Sequence, residues 1–143
     1  MKKVIYLLTI IIYCATLSAQ NNDTYPAELL EGKDWFIVFN DSERENCPPQ
    51  GVHIKNNILT VFAYFDNNRQ ELKSSYYLST TLDKTFIPSK VGKCTSGKYL
   101  IINDSSGLMC AEILKLNETE MVLHCYWTNR QLSFITIRPE HHK

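Results

Sequence analysis

From residue 34 onward the chain places its apolar residues in short runs, rich in β-branched and aromatic types, each stopped by Asn, Asp, Gly, Ser or Pro. Such runs predict strands joined by tight turns rather than helices. They are Trp35 to Phe39, Val52 to Ile54, Ile58 to Phe65, Glu71 to Leu78, Thr85 to Ile87, Lys98 to Asn103, Leu108 to Leu116, Met121 to Trp127 and Leu132 to Arg138. Lys55-Asn56-Asn57 and Asp66-Asn67-Asn68 read as hairpin turns, because Asn tolerates the positive φ that a tight hairpin demands. The expectation is an all-β domain, an antiparallel up-and-down meander of about eight strands. A hairpin sheet this long closes on itself or folds over, since open edges invite aggregation; this reading leaves both barrel and sandwich open. Ala27 to Glu31, just before Gly32, reads as a helical turn, and Asp41 to Gly51 and Ser79 to Ser96 as irregular loops.

Residues 1–20 have the three zones of a secretory signal. Lys2 and Lys3 precede the apolar run Val4 to Cys14, and the small-residue stretch Ala15 to Ala19 leads into polar Gln20-Asn21-Asn22-Asp23. The apolar run falls short of the roughly 20 residues that span a bilayer. Cleavage near Ala19 or Gln20 is expected, with Cys14 discarded. That leaves residues 21–143 as one exported domain, periplasmic or secreted, with no transmembrane segment. The whole chain carries 15 Lys+Arg against 15 Asp+Glu, and loss of Lys2 and Lys3 makes the remainder slightly acidic. This balance argues against a nucleic-acid partner, which needs a basic face.

Four cysteines follow the signal: Cys47, Cys94, Cys110 and Cys125. An even number in an exported domain points to disulfide bonds, with three possible pairings. If Asn117 to Glu120 forms a hairpin turn, Cys110 and Cys125 fall opposite each other on adjacent strands. Their Cα atoms would lie about 4.5–5.5 Å apart, within disulfide reach. Cys47 and Cys94, in the two long loops, would form the second bridge. The alternative for Cys110 and Cys125 is a pair of buried thiols. No Cys-x-x-Cys or His spacing suggests a metal site.

Catalytic patterns do not emerge. His53 and His124 stand singly in predicted strands, and His141 and His142 lie in the tail; there is no nucleophile elbow, Gly-rich phosphate loop or His-Glu-x-x-His. No cofactor is implied, and the chain reads as a binding protein rather than an enzyme. Glu112 stands out among apolar neighbours. Pointing inward it could receive a polar ligand group; a β-bulge would instead turn it outward. Met121, Leu123, Cys125 and Trp127 form the more apolar face of their strand, expected to point inward, with Leu132 and Phe134 able to join it. Phe62 and Tyr64 share one face of an earlier strand, and Val61, Ala63 and Phe65 the other, with no sign of which points inward.

The segment Leu29-Leu30-Glu31-Gly32-Lys33-Asp34-Trp35, a turn and then a strand opening on Trp, resembles the start of a lipocalin-like barrel. Tyr76-Tyr77-Leu78-Ser79, Lys90-Val91-Gly92-Lys93 and Gly97-Lys98-Tyr99 are similar to stretches of the small lipocalin-like domains exported by Bacteroidetes-type bacteria, and Ser18-Ala19-Gln20 suits such a host. The resemblance implies a barrel in which Arg138 packs over Trp35, a cation–π tie between first and last strands worth about 0.5–2 kcal/mol. It also implies a small apolar ligand inside, lined by Leu123, Trp127, Phe134, Phe62, Tyr64 and Glu112. The abundance of large aromatics favours the alternative, a protein-interaction module such as an inhibitor or immunity protein with a filled core.

Overall fold

The structure, a computed structural model, describes residues 24–140; the expected signal, residues 1–20, lies outside them. The strands of the described residues are β1 (Tyr25–Pro26), β2 (Asp34–Ile37), β3 (Gln50–Lys55), β4 (Ile58–Phe65), β5 (Asn68–Ser79), β6 (Ser96–Gly97), β7 (Tyr99–Asp104), β8 (Gly107–Leu116), β9 (Glu120–Cys125) and β10 (Arg130–Ile135). Eight of them close into an antiparallel up-and-down barrel, in which β10 pairs back onto β2. The two-residue strands β1 and β6 pair with each other. This is the predicted meander, closed as a barrel rather than folded over as a sandwich. No helix of the described residues is long and apolar enough to cross a membrane.

The turns work as their residues dictate. Asn56 and Asn57 have φ of 52° and 63°, and Asp66 and Asn67 have 48° and 63°. Positive φ at both central positions matches the right-handed twist of the flanking strands. One predicted strand is absent: Thr85 to Ile87 lies in the loop between β5 and β6. Its Phe86 and Ile87 meet their need for burial by packing onto Tyr77, Ile101 and Cys110, on the outer face of β5, β7 and β8. Inside the expected loop 41–51 a one-turn helix forms, α1 (Asp41–Arg44). Asn40 and Glu43 cap it reciprocally, side chain to backbone in both directions.

Strand alternation divides the barrel wall into two faces. Inward go Trp35, Ile54, Leu59, Tyr76, Leu78, Leu100, Ile102, Ala111, Ile113, Leu116, Met121, Leu123, Cys125 and Phe134, none more than 8% exposed. Residues 27–33 cross one end of the barrel. Leu30 is fully buried and its carbonyl accepts a 2.9 Å hydrogen bond from Trp35 Nε1. Gly32 N–H donates to the Ile54 carbonyl, Glu31 accepts from the Tyr76 hydroxyl at 3.2 Å, and Lys33 Nζ donates to the Glu118 carbonyl at 3.0 Å. These contacts reach three separate strands or turns, so the segment acts as a plug.

Candidate binding surface

The side chains expected to line an internal pocket do not converge. Leu123 and Phe134 do point inward, but both are packed in the core, 4% and 3% exposed. Trp127 does not: β9 ends at Cys125 and residues 126–129 form the turn, leaving Trp127 45% exposed. Phe62 and Tyr64 lie on the outer face of β4, opposite to Leu59, with which Val61, Ala63 and Phe65 share the inward face by alternation.

Glu112 also faces outward. The β8–β9 register shifts between Ile113 and Lys115, and this bulge sets Glu112 opposite His124 and Ala111 opposite Cys125. Glu112 is bound there by Lys98 Nζ at 2.6 Å and the Tyr126 hydroxyl at 3.0 Å. The Lys98 hydrogen bond holds its carboxyl below the usual range against the opposing effect of burial.

The same bulge removes a predicted disulfide. A one-residue slip exchanges faces, so Cys125 sits in the core while Cys110 joins Tyr77 and Ile101 outside the barrel wall. All four cysteines are free. Cys94 packs against the outer cluster that contains Cys110, whereas Cys47 follows α1 and lines a cleft beside Pro48 and Pro49. The expected 47–94 bridge is therefore absent too. Burial pushes the Cys125 thiol up to about 11.

Arg138 does not stack on Trp35. Its guanidinium lies 4.2 Å from the centre of the Tyr64 ring, while Lys33 Nζ sits 5.0 Å from that of Trp35. Trp35 points into the core, out of reach of the tail, whereas Tyr64 offers a ring on the outside.

Tyr64 belongs to a cluster on the outer face of β2–β5. Phe36, Phe62 and Tyr64 meet edge to face, at centroid distances of 5.3 and 5.9 Å. Arg69 covers Phe62 at 4.0 Å. Its guanidinium grips both oxygens of Asp34, at 2.6 and 3.2 Å, and its Nε donates to Glu71 at 2.7 Å. His53 Nδ1 is 2.8 Å from Asp34 Oδ1. Desolvation works to raise the Asp34 pKa, but the Arg69 and His53 hydrogen bonds and charges outweigh it, and the carboxyl lies below its ordinary range. Asp34 and His53 have the contact of a base and its orienting acid, yet Asp34 is already held by Arg69. The arrangement ties β2, β3 and β5 together. A shallow depression of about 570 Å³ beside it is lined by His53, Lys55, Thr60 and Lys73.

The larger concavity is an open cleft of about 1150 Å³ between the α1 loop, the β4–β5 turn and the C-terminal tail. Val38, Phe39, Pro48, Pro49, Phe65 and Ile135 give it apolar walls; Arg44 and Arg138 sit among Asp41, Glu45, Asp66 and Glu140. Val38 and Phe65 are 40% and 48% exposed. Arg130 pairs with Glu43 at 3.2 Å and anchors α1 to the start of β10. Sequence reading found this cleft only as a loop. The Asn40-x-x-Glu43 spacing of the α1 capping box is the signal in the sequence that could have shown it. Comparison with protein-family models, curated proteins and solved structures finds no match to this chain.

Proposed function

We propose that this is an exported, non-enzymatic binding protein that contacts another protein at the cleft beside α1, with the barrel core around Trp35 filled. The observation that carries this reading is the interior itself: Trp35, Tyr76, Met121, Leu123 and Phe134 occupy the space that a ligand would need. No buried side-chain nitrogen or oxygen of the described residues lacks a hydrogen-bond partner, so no polar handle waits there for a guest. The cleft has what a protein contact uses: partly exposed apolar walls, a Tyr–Arg stack and charges of both signs at the rim. Export follows from the signal-like residues 1–20.

The test is native mass spectrometry of the protein exported by a bacterial host. A bare polypeptide mass is expected. An added small-molecule mass released on denaturation would overturn the reading in favour of a carrier. Photo-crosslinking from Phe65 should then trap a protein partner that crosslinking from Leu114, exposed elsewhere on the barrel, does not. Equal trapping from both positions would remove the cleft from the proposal.

A further inference from the structure

The wall of the barrel is incomplete along β5. β4 pairs with β5 from Asn68 to Ser75, whereas β7 reaches β5 only from Ser75 to Ser79. Residues 68–74 thus form a free edge. The two-residue turn makes Phe65 and Asn68 a hydrogen-bonded pair, and such pairs alternate. Even-numbered residues of β5 therefore turn their backbone groups to β4, as Tyr76 N–H does in donating to Asn57 O. Odd-numbered residues turn theirs the other way, as the Ser79 carbonyl does in accepting from Lys98 N–H. The N–H and C=O groups of Arg69, Glu71 and Lys73 accordingly point out along the free edge, with no backbone partner among the described residues.

We propose that this edge pairs with the same edge of a second copy, antiparallel, about a two-fold axis at Leu72. Charged side chains on a free edge deter indiscriminate pairing, but their order here favours one register. With Leu72 opposite Leu72 of the second copy, Glu71 faces Lys73 of the other chain twice, and these are the positions whose backbone groups point outward. Four backbone hydrogen bonds and two opposite-charge pairs form together. Leu72, 74% exposed, meets its counterpart in a close, non-hydrogen-bonded pair, flanked by Val61, 39% exposed and cross-strand from Leu72. Centring on Glu71 would set Glu71 against Glu71 and Arg69 against Lys73. Centring on Gln70 would use Arg69, already committed to Asp34, and would leave Leu72 against Asn68. Lys73 makes no ion pair among the described residues and is free to serve the first register. The contact is isologous and closes as a dimer. It does not depend on the cleft.

Sedimentation velocity of the purified protein over a concentration series tests this. A reversible monomer–dimer equilibrium is expected, with amide exchange at Glu71 and Lys73 slowing as concentration rises. Lys73→Glu turns both cross-pairs repulsive and should weaken the dimer by roughly ten-fold or more, while the double variant Glu71→Lys/Lys73→Glu restores it. Because Glu71 also holds Arg69, Leu72→Asp supplies an independent variant expected to abolish dimerisation while the far-ultraviolet circular dichroism stays unchanged. A protein monomeric up to roughly millimolar concentration would overturn the proposal. So would a dimer that Lys73→Glu leaves unchanged, as the Gln70 register predicts, or tightens, as the Glu71 register predicts.

Discussion

Gly51→Ala is expected to be among the most damaging single-methyl changes this barrel can suffer. Gly51 is not in the left-handed region, so the demand at this position is for space rather than for an unusual φ. A Cβ there would lie 1.8 Å from the Trp35 carbonyl oxygen, 2.8 Å from its carbonyl carbon and 3.0 Å from Phe36 Cα. All three are backbone atoms and cannot rotate aside. Reaching ordinary contact near 3.4 Å means opening β2 from β3 by roughly 1.6 Å, which stretches a hydrogen bond of about 2.9 Å beyond use. The β2–β3 ladder has just the pairs Asp34↔His53, Trp35↔Val52 and Phe36↔Gly51, and β2 is also the strand on which β10 closes the barrel. Losing two or three ladder bonds at about 0.5–1.5 kcal/mol each, together with Phe36 packing, gives a loss of about 2–4 kcal/mol. Urea unfolding followed by circular dichroism measures it as a lower midpoint at constant slope. Gly32→Ala is the control: Gly32 has φ of +80° and nothing within 4 Å of its Cβ position, so its loss should be confined to the left-handed penalty of about 1–2 kcal/mol. If Gly51→Ala proved no worse than Gly32→Ala, the close approach of β2 and β3 would be refuted.

Trp35→Phe should cost about 2–4 kcal/mol, because it leaves the buried Leu30 carbonyl without its donor and opens space beside the plug; the urea midpoint reads this. Arg138→Ala should cost about 0.5–1 kcal/mol and leave the emission of buried Trp35 unchanged, since the guanidinium stacks on Tyr64; a shift in that emission would restore the Trp35 tie. Alkylation of the native protein at pH 8 should modify Cys47 and Cys94 while Cys125, 1% exposed and with its thiol pushed up to about 11, reacts only after unfolding. Stability should fall at both ends of the pH scale, measured as the urea midpoint. On the acid side, the Lys90 hydrogen bond to Asp83 and the Arg69 and His53 bonds to Asp34 hold both carboxyls below their ordinary 3.8. The unfolded chain then takes up protons first, and stability present above pH 4 is lost as pH falls through the lowered values. On the alkaline side, burial raises Cys125 from 9.0 to about 11 and Tyr77 from 10.0 to about 12, so the unfolded chain loses protons first and stability declines from pH 9 to 12.

Much of the fold was legible because its rules are local. Strand β4 falls on Ile58–Phe65 as the apolar run predicts, and the Asn-Asn and Asp-Asn turns lock their hairpins through positive φ. Inward placement of Met121, Leu123 and Cys125 follows from alternation within one strand. Errors arose where one strand must be set against another. The β8–β9 pairing contains one extra residue near Leu114, and a bulge leaves no mark in composition. That single residue exchanges the faces of Cys110 and Glu112 relative to Cys125, removing a disulfide and a presumed ligand group together.

The aromatic residues were misread for a related reason. A filled barrel and a hollow one carry the same alternation, and the difference lies in which large side chains go in. Phe62 and Tyr64 look like pocket walls in sequence, yet they cover the outside, because Arg69 supplies a flat cation that shields Phe62 to 1% exposure without a second sheet. Arg69 is available to do so only because β5 runs on past β7, which brings it beside Asp34 across the β2–β3–β4 surface. One long strand therefore accounts for two features absent from any motif: an aromatic and charged outer face over β2–β5, and a free edge that includes Arg69, Glu71 and Lys73. Asp34, His53, Arg69 and Glu112 all stand on the outside of the barrel wall, where strand length and register put them.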